Sequence, residues 1–313
     1  MDVLAELLGS GTRSSGGLFH QVVLAPPWAV RVQDEAPLAL AAMVRGDGWI
    51  VPDGGEPLPL GEGDIAVVRG PAPYVLADHP STAAAPGLVI LPGDCCTTPS
   101  GRDLCEELRR GVRTWGSTAS GPSLLLSGVC TAQGDIDGTL RAALPDVLVL
   151  GAKDWDSTLL TVVTAEVVKD GPGQQIVLDR LLDLLLISVL RAWFARPEAQ
   201  PPDWYRAQGD PVVGAALRLL HEQPAHHWTV ASLAAGTGVS RAALARRFTA
   251  MVGEPPMSYL TRRRLDLAAR LLRDTDATLA SVAHRVGYAD AFALSAAFKR
   301  VHGMSPTTYR TGR

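Results

Sequence analysis

Hydrophobic and polar positions along the chain follow two different periods. Over the first 95 residues the apolar runs are short, as in Val22 to Ala25, Leu38 to Val44 and Ile65 to Val68, and clusters of proline and glycine separate them. Such runs predict strands joined by turns. The stretch Pro52 to Asp64 holds a Gly-Gly turn and then a second turn before the next apolar run, as an antiparallel hairpin would. A small barrel or sandwich is implied. Arg102 to Trp115 and Leu178 to Phe194 read as helices, the second with Leu178, Leu181, Leu182, Leu185, Val189 and Trp193 on one stripe. The proline-dense ARPEAQPPDW that follows cannot continue a helix, so residues 196–210 are expected to be a linker. From Pro211 onward the apolar spacing is helical in six segments: Val212 to Glu222, Val230 to Ala235, Arg241 to Met251, Met257 to Leu272, Leu279 to Val286 and Ala291 to Val301. The expectation is an α+β chain, with residues 1–195 sheet-rich and carrying helices, and residues 211–313 all-helical.

Length and charge sharpen this division. A chain of 313 residues with 47% hydrophobic content exceeds what one core usually supports. The net charge of −3 hides an asymmetry: from Gly209 to the end there are 14 Lys+Arg against 7 Asp+Glu, leaving 15 against 25 upstream. A basic module on an acidic body is the electrostatic outline of a nucleic-acid-binding domain tethered to a part that avoids phosphates. The most apolar stretch, Ile176 to Phe194, is broken by Asp179, Arg180, Asp183 and Arg191, which excludes a membrane span. The first residues carry acids and no basic segment before an apolar core, so no secretory signal is expected. Four cysteines in a chain this long make no disulfide scaffold, and a reduced, cytoplasmic protein is the default.

The helical third contains one layout twice, about 50 residues apart. The first copy runs Leu233-Ala234-Ala235-Gly236-Thr237-Gly238-Val239-Ser240, then Leu244, Phe248 and Gly253-Glu254-Pro255-Pro256. The second runs Val282-Ala283-His284-Arg285-Val286-Gly287-Tyr288, then Leu294, Phe298 and Gly303-Met304-Ser305-Pro306. In each, a short apolar helix meets a glycine able to take a left-handed turn, and an apolar residue plugs the turn before the next helix. That is helix-turn-helix geometry, in which the second helix enters the major groove. The stretch from His227 through Arg310, with VAHRVGY, AFKR and GMSPTTYR, resembles the AraC-type (AraC/XylS) domain along its whole length. More loosely, LFHQVVLAPPWAVRV, MVRGDGWIV, LGEGDIAVVRGPAPYVL and LLDLLLISVLRAWFA resemble the cupin-like sensor domain of one branch of that family across roughly residues 1–195.

The resemblance implies a sequence-specific transcription regulator that acts on double-stranded DNA and RNA polymerase in answer to a small-molecule or oxidant effector. A homodimer through Leu178 to Phe194 is expected from the wide apolar face of that segment. On the first recognition helix Arg246 matches the family position that reaches base edges. Ser240, Arg241, Ala242, Ala245 and Arg247 join it as interface residues, Arg241 and Arg247 on phosphates. Asp290, Ala291, Ser295, Lys299 and Arg300 are their counterparts in the second unit. Arg262, Arg263 and Arg264 are expected to be structural and phosphate-facing, Leu244, Phe248, Leu265, Phe292 and Phe298 to be core, and Tyr288 to plug a turn.

In the N-terminal half, Cys95 and Cys96 are candidate redox thiols, since some cupin-bearing relatives sense oxidants, and Cys130 is expected to be buried and inert. No Cys-x-x-Cys or clustered Cys/His is present, Tyr74 stands where cupins commonly place a histidine, and His20 and His79 are far apart, so neither a metal nor another cofactor is expected. Neither a Gly-x-Ser-x-Gly elbow, a phosphate-binding loop nor HExxH occurs, which argues against an enzyme. The alternative is a cupin-fold enzyme with an accessory helical domain.

Overall fold

A computed structural model describes residues 18–93, 95–130, 143–197, 199 and 201–311. The Met1 start and Asp94 lie outside them, as does the side chain of Cys130. The chain divides into two compact units, one up to residue 199 and one from residue 201.

The first unit is built on two sheets. The seven-stranded sheet runs in the order β10 (Arg109–Gly111), β11 (Thr114–Gly116), β1 (Leu18–Leu24), β12 (Ser123–Cys130), β3 (Leu38–Arg45), β6 (Ile65–Arg69), β13 (Val147–Leu150). The six-stranded sheet runs β5 (Leu58–Leu60), β4 (Gly48–Pro52), β7 (Tyr74–Ala77), β2 (Ala29–Val32), β8 (Leu88–Leu91), β9 (Cys95–Thr97). Pairing is antiparallel except for β1 with β11 and β2 with β8. One core joins residues of both sheets, among them Leu24, Val30, Met43, Ile50, Val68 and Leu76, so the unit is a sandwich.

Alternation along β3 explains its unbroken apolar run. Ala39, Ala41 and Met43 face the sandwich core, whereas Leu38, Leu40 and Ala42 are equally buried on the other side. That second face is covered by helices α3 (Thr158–Val167) and α4 (Gln174–Phe194), which follow the short α1 (Pro80–Ala83) and α2 (Cys105–Leu108). Contact is close: a Cβ placed on Gly128 of β12 would lie 2.8 Å from the Phe19 ring and 3.1 Å from Leu182 of α4.

One sequence expectation fails here and another is narrowed. Arg102 to Trp115 is no helix, because the chain makes only the single turn α2 before entering β10 and β11. The α4 stripe is already used within the chain: Leu178, Leu182, Leu185 and Val189 are buried in this unit and are not a free dimer face. Only the opposite side of α4 stays open, with Ile176 65% and Leu184 46% exposed. No described helix is long and apolar enough to cross a membrane.

The second unit is helical: α5 (Asp203–Gly209), α6 (Val213–Glu222), α7 (Val230–Gly236), α8 (Arg241–Val252), α9 (Pro256–Asp274), α10 (Leu279–Arg285), α11 (Ala291–His302) and α12 (Pro306–Thr311). The six expected segments are all present, and α5 and α12 add to them. Residues 196–210 are therefore not linker throughout, since α5 lies inside that range, buries Ala207 and packs on α6 and α8. Two apolar clusters form, one around Leu217, Leu233, Leu244 and Phe248, the other around Val282, Val286, Leu294 and Phe298. Helix α9 supplies Tyr259 and Leu260 to the first and Leu265, Ala268, Ala269 and Leu272 to the second.

Two glycines separate backbone strain from steric overlap. Gly253 caps α8 at φ +84° with open space around a would-be Cβ, whereas at Gly287, also φ +84°, a Cβ would lie 2.7 Å from Ala225 Cα. Gly253→Ala should cost about 1–2 kcal/mol, the left-handed penalty alone. Gly287→Ala should add a further 1–3 kcal/mol or so for overpacking. Urea denaturation of the two variants followed by circular dichroism checks the order, and equal losses would contradict it.

Candidate nucleic-acid interface and effector cavity

Each helix-turn-helix unit is assembled by local chemistry. Helix α7 starts with a reciprocal capping box, in which the Ser232 N–H donates to Thr229 Oγ1 at 3.0 Å and the Thr229 N–H to Ser232 Oγ at 2.9 Å. Gly238 turns the chain at φ +70°, and half-buried Val239 packs on the first cluster. Ser240 then caps α8 by accepting the Ala243 N–H at 3.2 Å. The second unit repeats this with other residues. Thr278 caps α10, Gly287 turns, Tyr288 packs half-buried on the second cluster, and Asp290 Oδ1 accepts the Ala293 N–H at 2.8 Å to start α11. Ser240 and Asp290, expected as contact residues, are thus the N-caps of the two recognition helices.

On α8, Leu244 and Phe248 face the core, leaving Arg241, Ala242 and Arg246 exposed and Ala245 half-buried. Arg247 is also exposed but already engaged: its Nε and Nη2 donate to Asp210 Oδ2 at 3.0 and 2.5 Å. Burial alone would raise the Asp210 carboxyl. The N–H groups of Val213 and Val212 and the Arg247 guanidinium outweigh it and hold the group below its ordinary value.

On α11, Lys299 and Arg300 are exposed while Ala291 and Ser295 are half-buried. Phe292, expected in the core, is 88% exposed. The core stripe of α11 is Leu294, Ala297 and Phe298, and Phe292 lies on the face away from it.

The arginine triplet, expected to open the connecting helix, lies near the middle of α9 and is structural in two of its members. Arg262 grips Glu254 Oε1 with Nε and Nη2 at 3.0 and 2.7 Å. Arg264 donates to the carbonyls of Pro224 and His226 at 2.7 and 2.8 Å. Burial, with Arg270 nearby, pushes the Arg263 guanidinium down to about 10, still charged at neutral pH.

In the first unit a cavity of about 90 Å³ opens between the sheets. Apolar side chains line most of it, including Val22, Val30, Leu76, Leu88 and Leu125, with His20, Asp34, Cys96 and Ser127 as its polar groups. The expected redox pair is split by the strand. Cys96 is buried and lines the cavity, whereas its neighbour Cys95 is half-buried and gathers with residues the sequence reading passed over. Burial, reinforced by Cys105, Cys95 and Asp103, pushes the Cys96 thiol up to about 11, so it stays protonated and weakly nucleophilic at neutral pH. Cys95 Sγ, Asp103 and Cys105 Sγ bring their ligand atoms within 4.8 Å of one another. No Cys-x-x-Cys spacing announces this group in the sequence; the fold assembles it from β9 and the residues that lead into α2.

Comparison with known proteins places these units in context. Residues 2–195 match the family model described as Cupin, and residues 233–312 match one described as Helix-turn-helix domain. The chain is 34% identical, over 99% of its length and 98% of the relative's, to a Streptomyces lividans protein named as an AraC-like transcription regulator. A protein of Streptomyces antibioticus with the same name is 35% identical over the same shares. Among solved structures, the DNA-binding domain of AdpA in complex with a target DNA is 34% identical, covering 32% of this chain and 90% of that chain, with a TM-score of 0.31.

The Asp210–Arg247 pair yields a pH test. A carboxylate held below its unfolded value of about 3.9 stabilises the fold above that pH and loses the contribution as pH falls through the lower folded value. Asp210→Asn should therefore be less stable than wild type at pH 7 and lose less on acidification below about pH 4. Melting temperatures from pH 7 to pH 2 (about that range) check it; parallel curves would show that Asp210 is not held by the fold.

Proposed function

The chain belongs to the AraC-like transcription regulators that carry a cupin domain ahead of the helix-turn-helix domain, and from that premise we propose how it reads DNA and receives its signal. The observation that carries the reading is the pair of capped recognition helices, α8 and α11, which expose chemically different faces on a basic unit.

Helix α8 offers Arg246, an exposed guanidinium with the fork geometry that suits guanine O6 and N7, and Arg241 for a phosphate. Arg247 orients the helix through Asp210 and adds charge near the backbone. Helix α11 has no long donor before Lys299. Its prominent group is Phe292, suited to the methyl group of thymine, with Ser295 for at most one hydrogen bond and Lys299 and Arg300 for phosphates. The first helix-turn-helix unit reads sequence and the second mainly anchors. Bound at such a site, the protein is placed to act on RNA polymerase, and its relatives' names support a regulatory and not a catalytic role. A homodimer built on α4 is restricted to the open side bearing Ile176 and Leu184.

The cupin unit receives a small organic effector in the cavity between its sheets. The mostly apolar lining with His20, Asp34 and Ser127 as polar groups fits a compact apolar molecule with one hydrogen-bonding end.

Selection from a randomised duplex library tests the division of labour. Arg246→Ala should relax preference at one or two base pairs in one half of the site, each worth about 1–3 kcal/mol. Lys299→Ala should weaken all sequences alike and lower the salt slope by about 1. Equal information in both halves, or an unchanged preference in Arg246→Ala, would refute it.

A second expectation concerns the cavity. A small-molecule screen by thermal shift should find apolar ligands that raise the melting temperature of wild type but not of Leu88→Trp, whose indole fills the space. Ligands that stabilise both proteins equally would place the effector elsewhere.

A further inference from the structure

We propose that Cys95, Asp103 and Cys105 form a binding site for a thiophilic metal ion, with zinc as the fitting case. The site lies at the β9 edge of the six-stranded sheet.

The fold brings the three together through a tight reversal. Strand β9 carries Cys95, and the chain then turns back so that Thr97 bridges Asp103. The turn is internally bonded: the Thr98 N–H donates to the Arg102 carbonyl at 2.9 Å, the Gly101 N–H to the Thr98 carbonyl at 2.9 Å, and the Arg102 N–H to Thr98 Oγ1 at 3.0 Å. Gly101 takes φ +86°, which the reversal requires. Asp103 then accepts the Cys105 N–H at 2.7 Å through Oδ1, fixing the carboxylate beside the sulfur. The Cys96 N–H points at Cys105 Sγ at 3.3 Å, the kind of amide contact that supports a metal-bound thiolate.

The donor set decides the ion. Two sulfurs select zinc or copper(I) over magnesium or calcium, and the carboxylate favours the divalent member of that pair. Tetrahedral zinc with bonds near 2.3 Å sets a sulfur–sulfur separation of about 3.8 Å. Ligand atoms already within 4.8 Å reach this by a shift of about 1 Å or less. Three protein ligands leave the fourth position to solvent, which exposed Asp103 admits. Binding releases the two thiol protons, so zinc and both thiols yield the complex and two H⁺. The site adjoins the effector cavity, because Cys96 and Leu108, at the end of the helix that Cys105 opens, are both in its wall.

The full-length protein, reduced and stripped of metal, is titrated with cadmium and then challenged with zinc. Stoichiometric uptake with a sulfur-to-cadmium charge-transfer band that zinc abolishes is the expected result. Cys95→Ser and Cys105→Ser should each remove the band, Asp103→Asn should weaken affinity about 10–100-fold while keeping it, and Cys130→Ser should change nothing. Asp103→Asn leaves both thiols and a side-chain oxygen in place, so it reports on the site even if a cysteine variant folds poorly. Absence of uptake by wild type, a band that survives in both cysteine variants, or one lost in Cys130→Ser would overturn the proposal. So would a reduced protein that takes no metal but closes a Cys95–Cys105 disulfide on mild oxidation.

Discussion

The second unit depends on helix α9 being shared between two apolar clusters. Its 19 residues span about 28 Å at 1.5 Å per residue. Tyr259 and Leu260 are committed to one helix-turn-helix core, and Leu265, Ala268, Ala269 and Leu272 to the other. Neither cluster is complete without it. Two arginines lock the arrangement by the same device: Arg264 donates to the Pro224 and His226 carbonyls, and Arg310 donates to the Leu272 and Ala277 carbonyls at 3.3 and 2.6 Å. Each guanidinium satisfies backbone oxygens in the last turn of a helix or just beyond its end, where no intrahelical partner exists. Gly287 completes the fit, since its turn passes so close to Ala225 that a side chain has no room.

Much of this was legible because it is written in local rules. The doubled glycine turn and the spacing Leu244/Phe248 and Leu294/Phe298 fix the two units without reference to distant contacts, whereas the N-caps Ser240 and Asp290 read in the sequence only as contact residues. Phe292 departs from its expected core position because aromatic character does not by itself mean burial. At about 100° per residue it stands some 200° from Leu294, on the opposite side of α11. Arg102 to Trp115 failed for a related reason. Leu104, Leu108 and Trp115 have helical spacing, but the cluster they join with Cys96 is reached by a turn and two short strands. The cysteines show the limit most clearly: adjacent residues on a strand face opposite ways, so Cys95 and Cys96 are separated and the partner of Cys95 comes from ten residues on, which no linear spacing announces.

The first unit illustrates how a sheet buried on both faces changes what a pattern means. Leu38 to Met43 reads as a continuous apolar run because one set of side chains meets the second sheet and the other lies on the sheet face that α3 packs against. The same fact decides the fate of the α4 stripe. Its leucines looked like an interface because the sequence shows a helix face wanting a partner without saying whose chain provides it. Here β12 and its neighbours do, through the gap left by Gly128.

The unlikeness of α8 and α11 has a geometric result. A body whose two reading heads were equivalent could settle on DNA in either sense, and only a second copy would break the tie. One head of this protein carries arginines and the other alanines and a phenylalanine. With the contacts proposed for α8 and α11, turning the protein end for end would bring each head onto the other's base pairs and forfeit both sets. A single copy so bound would be an arrow on the double helix, with a heading set by the order of its two recognition helices along the chain.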